Sequence, residues 1–462
     1  MTRRVAAAAL AALLWPAFAA HAQDWRAGSD PRVELLSILF RLAGNNEYHR
    51  CRIPAYDKVI ESYFAPYRDH EAVRLARALE IGFEAPMKLA VNLRDAESLA
   101  ERVPFDSPGV HLYQNWDAAK ARDFLTAARR FVIDTHFADF LKSQQPLYAA
   151  ADLRLRTVMQ ERADLGWFDR FFGPRPPARL IVVPGLANGG PSYAARVIDE
   201  GGVQEIYAIP GVSKVDAEGA PVFDTDWRTT MVHQFAHAYA NPVTGKFAGG
   251  MEQAARRIYE PVAAAMKRQS FGAWRIMLNE SLSRAVAVEY VLEHDGPEAA
   301  QRVIRQDNAR SFFWTSELVA LLDTYRTGRR QYPTLESFMP RVSEFFNNLA
   351  PRIHELADRL QPKIVSTSIA DGAQDVDPAT KSIVVHFSMA MNRTGPGKGA
   401  RASGGSFDET GAAVTIPVTL EPGRDYVLPL RWAGGQAFVS AEGVPLPDTL
   451  LHFHTALQSK PQ

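Results

Sequence analysis

The stretch Thr229-Thr230-Met231-Val232-His233-Gln234-Phe235-Ala236-His237-Ala238-Tyr239 decides how the rest of the chain is read. Asp224 or Asp226 can cap a helix start just before it. Asn241-Pro242 predicts its end, because a residue before proline avoids the α region. Inside that helix His233 and His237 stand four residues apart on one face, so their imidazoles can grip one cation. Val232, Phe235, Ala236 and Tyr239 share another face, which predicts their burial. Spacing alone is weak support: 12 histidines scattered through the chain would give ~0.3 such pairs by chance.

The flanks add to it. Leu180–Val183 and Glu205–Ile209 read as strands ahead of the helix, the second as an edge strand beside a cleft. Downstream, a helix from about Ala273 to Val291 carries Asn279-Glu280, with Arg284 one turn on. A carboxylate on a second helix is the usual third ligand when two histidines come from the first. Glu280 qualifies, Glu289 and Glu252 are rivals, and Arg284 can equally hold Glu280 in an i, i+4 salt bridge. Tyr193, Tyr325 and Tyr332 are candidate hydrogen-bond donors to an oxyanion. His452 and His454 alternate along a predicted strand and read as a solvated face. Cys51 reads as a small, partly buried residue and not a nucleophile.

Further out, helical spacing covers about Pro31–Leu93, Asp117–Gln144, Pro146–Arg170 and, with breaks, Asp226 to Leu360. From Pro362 it disappears. Ile364–Ile369, Ser382–Phe387, Ala413–Leu420, Tyr426–Leu430, Ala437–Ser440 and Leu450–His454 are short alternating segments between turns, which predicts a β-sandwich. The 462 residues suit two or three domains. The 52 basic and 52 acidic residues cancel, so nothing points to nucleic acid or an anionic membrane. Arg3-Arg4, an apolar run from Val5 to Leu14 and Ala20-His21-Ala22 predict a secretory signal over residues 1–22, cleaved before Gln23. The apolar run is too short to span a bilayer, and no later stretch reads as a transmembrane helix. A single cysteine excludes an internal disulfide.

His233, His237 and the later Asn279-Glu280 resemble the gluzincin class of zinc peptidases, whose signature is HExxH followed by a glutamate in an Asn-Glu pair on a later helix. Glu34-Leu35-Leu36-Ser37-Ile38-Leu39-Phe40-Arg41-Leu42-Ala43-Gly44 is similar to the opening of an uncharacterised bacterial family of exported, zincin-like proteins, a likeness running from about Arg32 to Pro340. The resemblance implies one zinc ion on His233, His237 and Glu280. It also implies two departures. Gln234 stands where the class has the glutamate that takes a proton from the attacking water. A glutamine amide can orient water but cannot accept that proton, and losing such help costs about 10²–10⁴-fold. Arg284 stands where the class usually has an aspartate that orients a ligand histidine.

Ala370-Asp371-Gly372-Ala373, Asp375-Val376-Asp377-Pro378, Val385-His386-Phe387-Ser388 with Met391, and Phe453-His454-Thr455 resemble bacterial Ig-like modules on exported proteins. The expectation is therefore an α+β chain: a mostly helical zincin-like domain over residues 23–360 with a small β-sheet, then an all-β Ig-like sandwich over 363–457. The expected role is a periplasmic or secreted metallopeptidase-like protein acting on or binding a peptide or protein, with hydrolysis reduced or absent at Gln234. The alternatives are a pseudoenzyme that binds partners through its cleft and Ig-like domain, and a metal-free structural protein.

Overall fold

Apolar residues recurring every three or four positions build most of the chain into helices. The computed structural model describes residues 25–458, apart from 80–83, 109, 111, 113–115, 174–177, 200, 395–404 and 433–434. The signal predicted over residues 1–22 lies outside the described residues. A short strand, β1 (Trp25–Ala27), leads into eight helices: α1 (Pro31–Ala43), α2 (Pro54–Phe64), α3 (Glu71–Ala78), α4 (Ala85–Val91), α5 (Ala118–Asp134), α6 (Phe137–Ser143), α7 (Gln145–Arg162) and α8 (Trp167–Phe172). Strands β2 (Ala178–Val182), β3 (Tyr193–Ile198) and β4 (Gln204–Ile209) follow, then α9 (Thr225–Arg268), α10 (Trp274–Asp295), α11 (Pro297–Ala309), α12 (Thr315–Thr327), α13 (Leu335–Leu349) and α14 (Ile353–Leu360). The two predicted long helices before residue 170 are each broken. His136 takes a left-handed φ of 48° between α5 and α6, and Ala163, in an extended conformation, ends α7 before α8.

The first sheet has the order β1-β2-β4-β3, with β3 antiparallel to β4 and the other pairs parallel. This corrects the expected edge. Glu205–Ile209 lies inside the sheet as β4, and the edge beside α9 is β3. Tyr193, Ala195 and Val197 of β3 point inward, and Arg196 and Ile198 face out.

The expected stop at Pro242 is also overturned: α9 runs on for 44 residues with Pro242 and Pro261 inside it. Proline cannot donate to the carbonyl four residues back, here Ala238. The Arg196 guanidinium of β3 donates to that Ala238 carbonyl instead. A backbone acceptor that would have ended the helix is thus satisfied from outside, and the same contact ties the sheet edge to the helix.

Buried α1 carries an acid into the core. Glu34 accepts from the Tyr56 hydroxyl at 2.6 Å, and Tyr56 meets Tyr148 at 2.7 Å. Its other oxygen faces the Ala187 N–H at 3.4 Å. Burial pushes the Glu34 carboxyl up to about 7, against the pull of those hydrogen bonds.

Seven strands follow α14: β5 (Ile364–Thr367), β6 (Ala373–Val376), β7 (Ser382–Phe387), β8 (Ser406–Phe407), β9 (Ala413–Pro417), β10 (Asp425–Pro429) and β11 (Leu450–Thr455). They form a β5-β7-β9-β8 sheet and a β10-β11-β6 sheet. Ile383, Val385, Val414, Ile416, Phe438, Leu451 and Phe453 are buried in one cluster of this region. Ala437–Ser440, predicted as a strand, makes only isolated bridges, because its residues pair with three different segments at Arg431, Met391 and Pro445. The chain is therefore α+β, with a helical region and a C-terminal β region. The two meet at a turn. Gly443 has a φ of 91°, and a Cβ there would collide with the Arg305 carbonyl of α11. Val444 is buried in the helical region's core, and Asn308 donates to the Glu442 carbonyl at 2.8 Å.

Candidate metal centre

Helix α9 begins where expected: Asp224 caps it by accepting from the Trp227 N–H at 3.0 Å. Val232, Phe235 and Ala236 are fully buried, and Tyr239 stacks on Phe168 and Phe172. That packing fixes the rotation of the helix and turns His233 and His237 toward α10. Their rings stand 4.6 Å apart, centre to centre. Helix α10 is buried at every position from Glu280 to Val291, so its acid arrives inside the protein and not at the surface.

Glu280 meets both rings. Its Oε1 is 3.2 Å from His237 Nε2, and its Oε2 is 3.5 Å from His233 Nε2. One ligand atom from each of the three residues lies within 4.8 Å of the others, and this is the group of acids, histidines and cysteines among the described residues that could hold a metal ion. The rivals lie elsewhere. Glu252 pairs with Arg256 one turn along α9 at 2.8 Å. Glu289 is buried two turns further along α10, pushed up to about 7 by that burial, with Arg326 3.9 Å away.

The electrostatics are uneven across the trio. Burial and the neighbouring His237 hold His233 well below the usual imidazole range, so it is neutral. Burial also opposes charge on His237, but Glu280 beside it raises that ring above its ordinary value. Burial would raise Glu280, yet His237 and Arg284 outweigh it and hold the carboxyl well below the usual range.

Three further residues stand around the trio or its arginine, and none was singled out from the sequence as part of the site. Asn241 Oδ1 stands 3.2 Å and Ser283 Oγ 3.1 Å from His237 Nδ1. Asn241 is four residues on from His237, a signal hidden by the expected helix stop. Ser283, three residues after Glu280, is placed by the packing of α10 on α9. The third, Asp307 of α11, holds Arg284 at 2.7 Å. Arg284 does approach Glu280 as the spacing allowed, with Nη2 2.9 Å from Oε2.

Gln234, the residue after His233 on α9, is buried. The three candidate tyrosines are not brought to the site. Tyr193 stacks on Tyr48, the Tyr325 hydroxyl donates to the Phe171 carbonyl, and Tyr332 packs edge-on against Phe338. Cys51 is largely buried with its thiol pushed up to about 11 by burial, which agrees with an unreactive residue. A cavity of about 620 Å³ runs along β3 past the site, lined by Lys88, Trp116, Arg196, Ile198, His237 and Asn241. A second, of about 760 Å³, shares Arg196, Ile198 and Ala238 and extends toward Pro242 and Lys246.

The donor set suits a cation. His233 Nε2 is buried and makes no hydrogen bond, a cost that a metal ion would remove. Two imidazole nitrogens and one carboxylate oxygen match an open, three-ligand zinc site.

Residues 28–344 match the family model described as "Domain of unknown function (DUF4932)", a span that includes His233, Gln234, His237 and Glu280. No curated protein matches the chain. Among solved structures, "Structure of surface layer protein SbsC, domains 1-6" aligns at 13% identity over 51% of this chain and 34% of that chain, with a TM-score of 0.17. "Crystal structure of the S-layer protein rSbsC(31-844)" aligns at 12% identity over 82% of this chain and 46% of that one, also with a TM-score of 0.17. The chain thus spans less than half the length of either, and a likeness at that TM-score carries no argument about fold or role. No described helix is long and apolar enough to cross a membrane.

Proposed function

This chain belongs to the DUF4932 family, and we propose that its metal centre is a zinc site of the gluzincin type with weak or absent peptide hydrolysis. His233, His237 and Glu280 hold one ion. The carrying observation is the convergence of two imidazoles and one buried carboxylate, with His233 Nε2 left without a hydrogen bond. Zinc bound there supplies Lewis acidity, polarising a peptide carbonyl and making water more acidic.

The chain's own residues do the rest. With its proton on Nδ1 toward Asn241 Oδ1, His237 keeps the Nε2 lone pair for the ion. Gln234, next to a ligand and at the general-base position, can orient a water or a peptide N–H but cannot take a proton. That absence sets the expected loss at about 10²–10⁴-fold against an enzyme with a carboxylate there. Among the described residues β3 is the last strand of its sheet and lines the cavity, where an extended peptide can add as a further strand. The C-terminal β region is read as an Ig-like sandwich that docks to a cell-surface partner, on a protein exported through its first 22 residues. Gln234 favours the second reading as well: a peptide-binding pseudoenzyme that keeps zinc as a structural part of its cleft.

Metal analysis of the purified protein tests the site: about one zinc per chain is expected, and none refutes it. Gln234→Glu then separates the two readings. Casein cleavage that appears or rises at least severalfold only in the variant supports a degenerate peptidase. Equal, chelator-sensitive cleavage by the unmutated protein shows that another base is at work. No cleavage by either form leaves the binding protein.

A further inference from the structure

The Arg284 guanidinium is caught between two carboxylates on two helices. Its Nη2 stands 2.9 Å from Glu280 Oε2 on α10. Its Nη1 donates to Asp307 Oδ1 on α11 at 2.7 Å. The cation also lies over the Phe312 ring, 4.5 Å from its centre. Glu280, Arg284 and Asp307 are all buried. An exposed i, i+4 pair is mobile and contributes little. Here the arginine is held on its far side by a second acid and across its face by an aromatic ring, so it has one place to be. Arg284 and Asp307 together are neutral, which leaves the charge of Glu280 for a cation.

We infer that Arg284, anchored by Asp307, is a positioning residue for the metal ligand Glu280, fixing the carboxylate with one oxygen toward His237 and the other toward His233. The inference rests on the zinc reading of the site. It gives Glu280 an orienting partner comparable to the one that Asn241 and Ser283 give His237, and it makes α11, which supplies no ligand, part of the site's support.

The test replaces the neutral pair without changing net charge, in Arg284→Met/Asp307→Leu. Exchanging a buried pair for apolar residues commonly leaves folding intact, and circular dichroism checks it. Zn²⁺ affinity is measured by competition with a chromophoric chelator, and the visible absorption of the Co²⁺-loaded protein reads coordination geometry. Loss of an orienting partner predicts about 10- to 100-fold weaker Zn²⁺ binding and a changed Co²⁺ spectrum, with Arg284→Lys between the two. A folded double variant that binds Zn²⁺ as tightly as the unmutated protein, or more tightly, overturns the inference and leaves the zinc site standing. An unmutated protein that binds no Zn²⁺ overturns both. If the double variant does not fold, Arg284→Lys decides alone, since lysine keeps the charge but loses the planar fork: severalfold weaker binding supports the inference, and unchanged binding overturns it.

Discussion

The chain carries two histidine pairs, one in each region, and they differ in everything except proximity. His233 and His237 stand one helical turn apart, largely buried, and share Glu280. His452 and His454 stand two residues apart on β11 and also face one side. There each ring takes its own acid: His452 faces Asp371 at 3.3 Å, and His454 faces Asp425 at 2.8 Å. All of these β-region groups border solvent. A pair of imidazoles on one face is common to both; a shared, buried carboxylate belongs to one. The first arrangement leaves His233 Nε2 buried with no hydrogen bond, a desolvation cost that an ion would relieve, and the second leaves groups that border water.

The largest expected effect breaks the comparison outright. His233→Ala should abolish stoichiometric zinc, measured by elemental analysis after dialysis, whereas His452→Ala/His454→Ala should keep it. Zinc lost from the second variant would mean that the wrong pair has been identified.

Next comes the contrast in acids. Glu34, buried, has its carboxyl raised from an ordinary value of 4.5 to about 7, so the folded protein holds a proton that the unfolded chain releases. Stability from this group is therefore present below about 4.5 and lost as pH rises toward about 7, at about 1.4 kcal/mol for each pH unit. Glu289 adds a slope of the same sign. Glu34→Gln mimics the protonated acid, so it should melt above the unmutated protein at pH 8 and with it at pH 5. Exposed Asp371 shifts the other way, lowered by the His452 N–H that bonds it.

A smaller effect is expected at the turn joining the regions. Gly443→Ala places a Cβ against Arg305 at a left-handed φ and should destabilise by about 1–3 kcal/mol, read in urea unfolding. Smallest of all, His454→Ala should stay within about 0.5 kcal/mol.

Much of this was legible from residues alone. The Asp224 cap, the inward face of Val232, Phe235 and Ala236, the histidine pair and Glu280 all follow local rules of spacing and capping, and the folded chain keeps them. What escaped was set by partners distant in sequence. Pro242 reads as a stop until Arg196 takes the Ala238 carbonyl. With the helix extended, Asn241 moves from a terminator to a neighbour of His237. Strand β3 alternates Tyr193, Ala195 and Val197 inward, but it is hemmed in by glycine- and proline-rich turns that mask a six-residue strand. Asp307 lies 27 positions after Glu280 and reaches the site only because α11 folds back on α10. Tyr193, Tyr325 and Tyr332 fit the chemistry of an oxyanion donor by residue type, yet each has its hydroxyl or ring engaged in packing.

Gly443 and Val444 bear on how faults spread through the molecule. A turn in the β region is seated on the backbone of α11, two residues before the aspartate that grips Arg284. A fault at this turn therefore falls on the backbone of α11 and on the packing of Val444 in the helical core. The C-terminal β region is thus joined to the helical region at the helix that also carries Asp307.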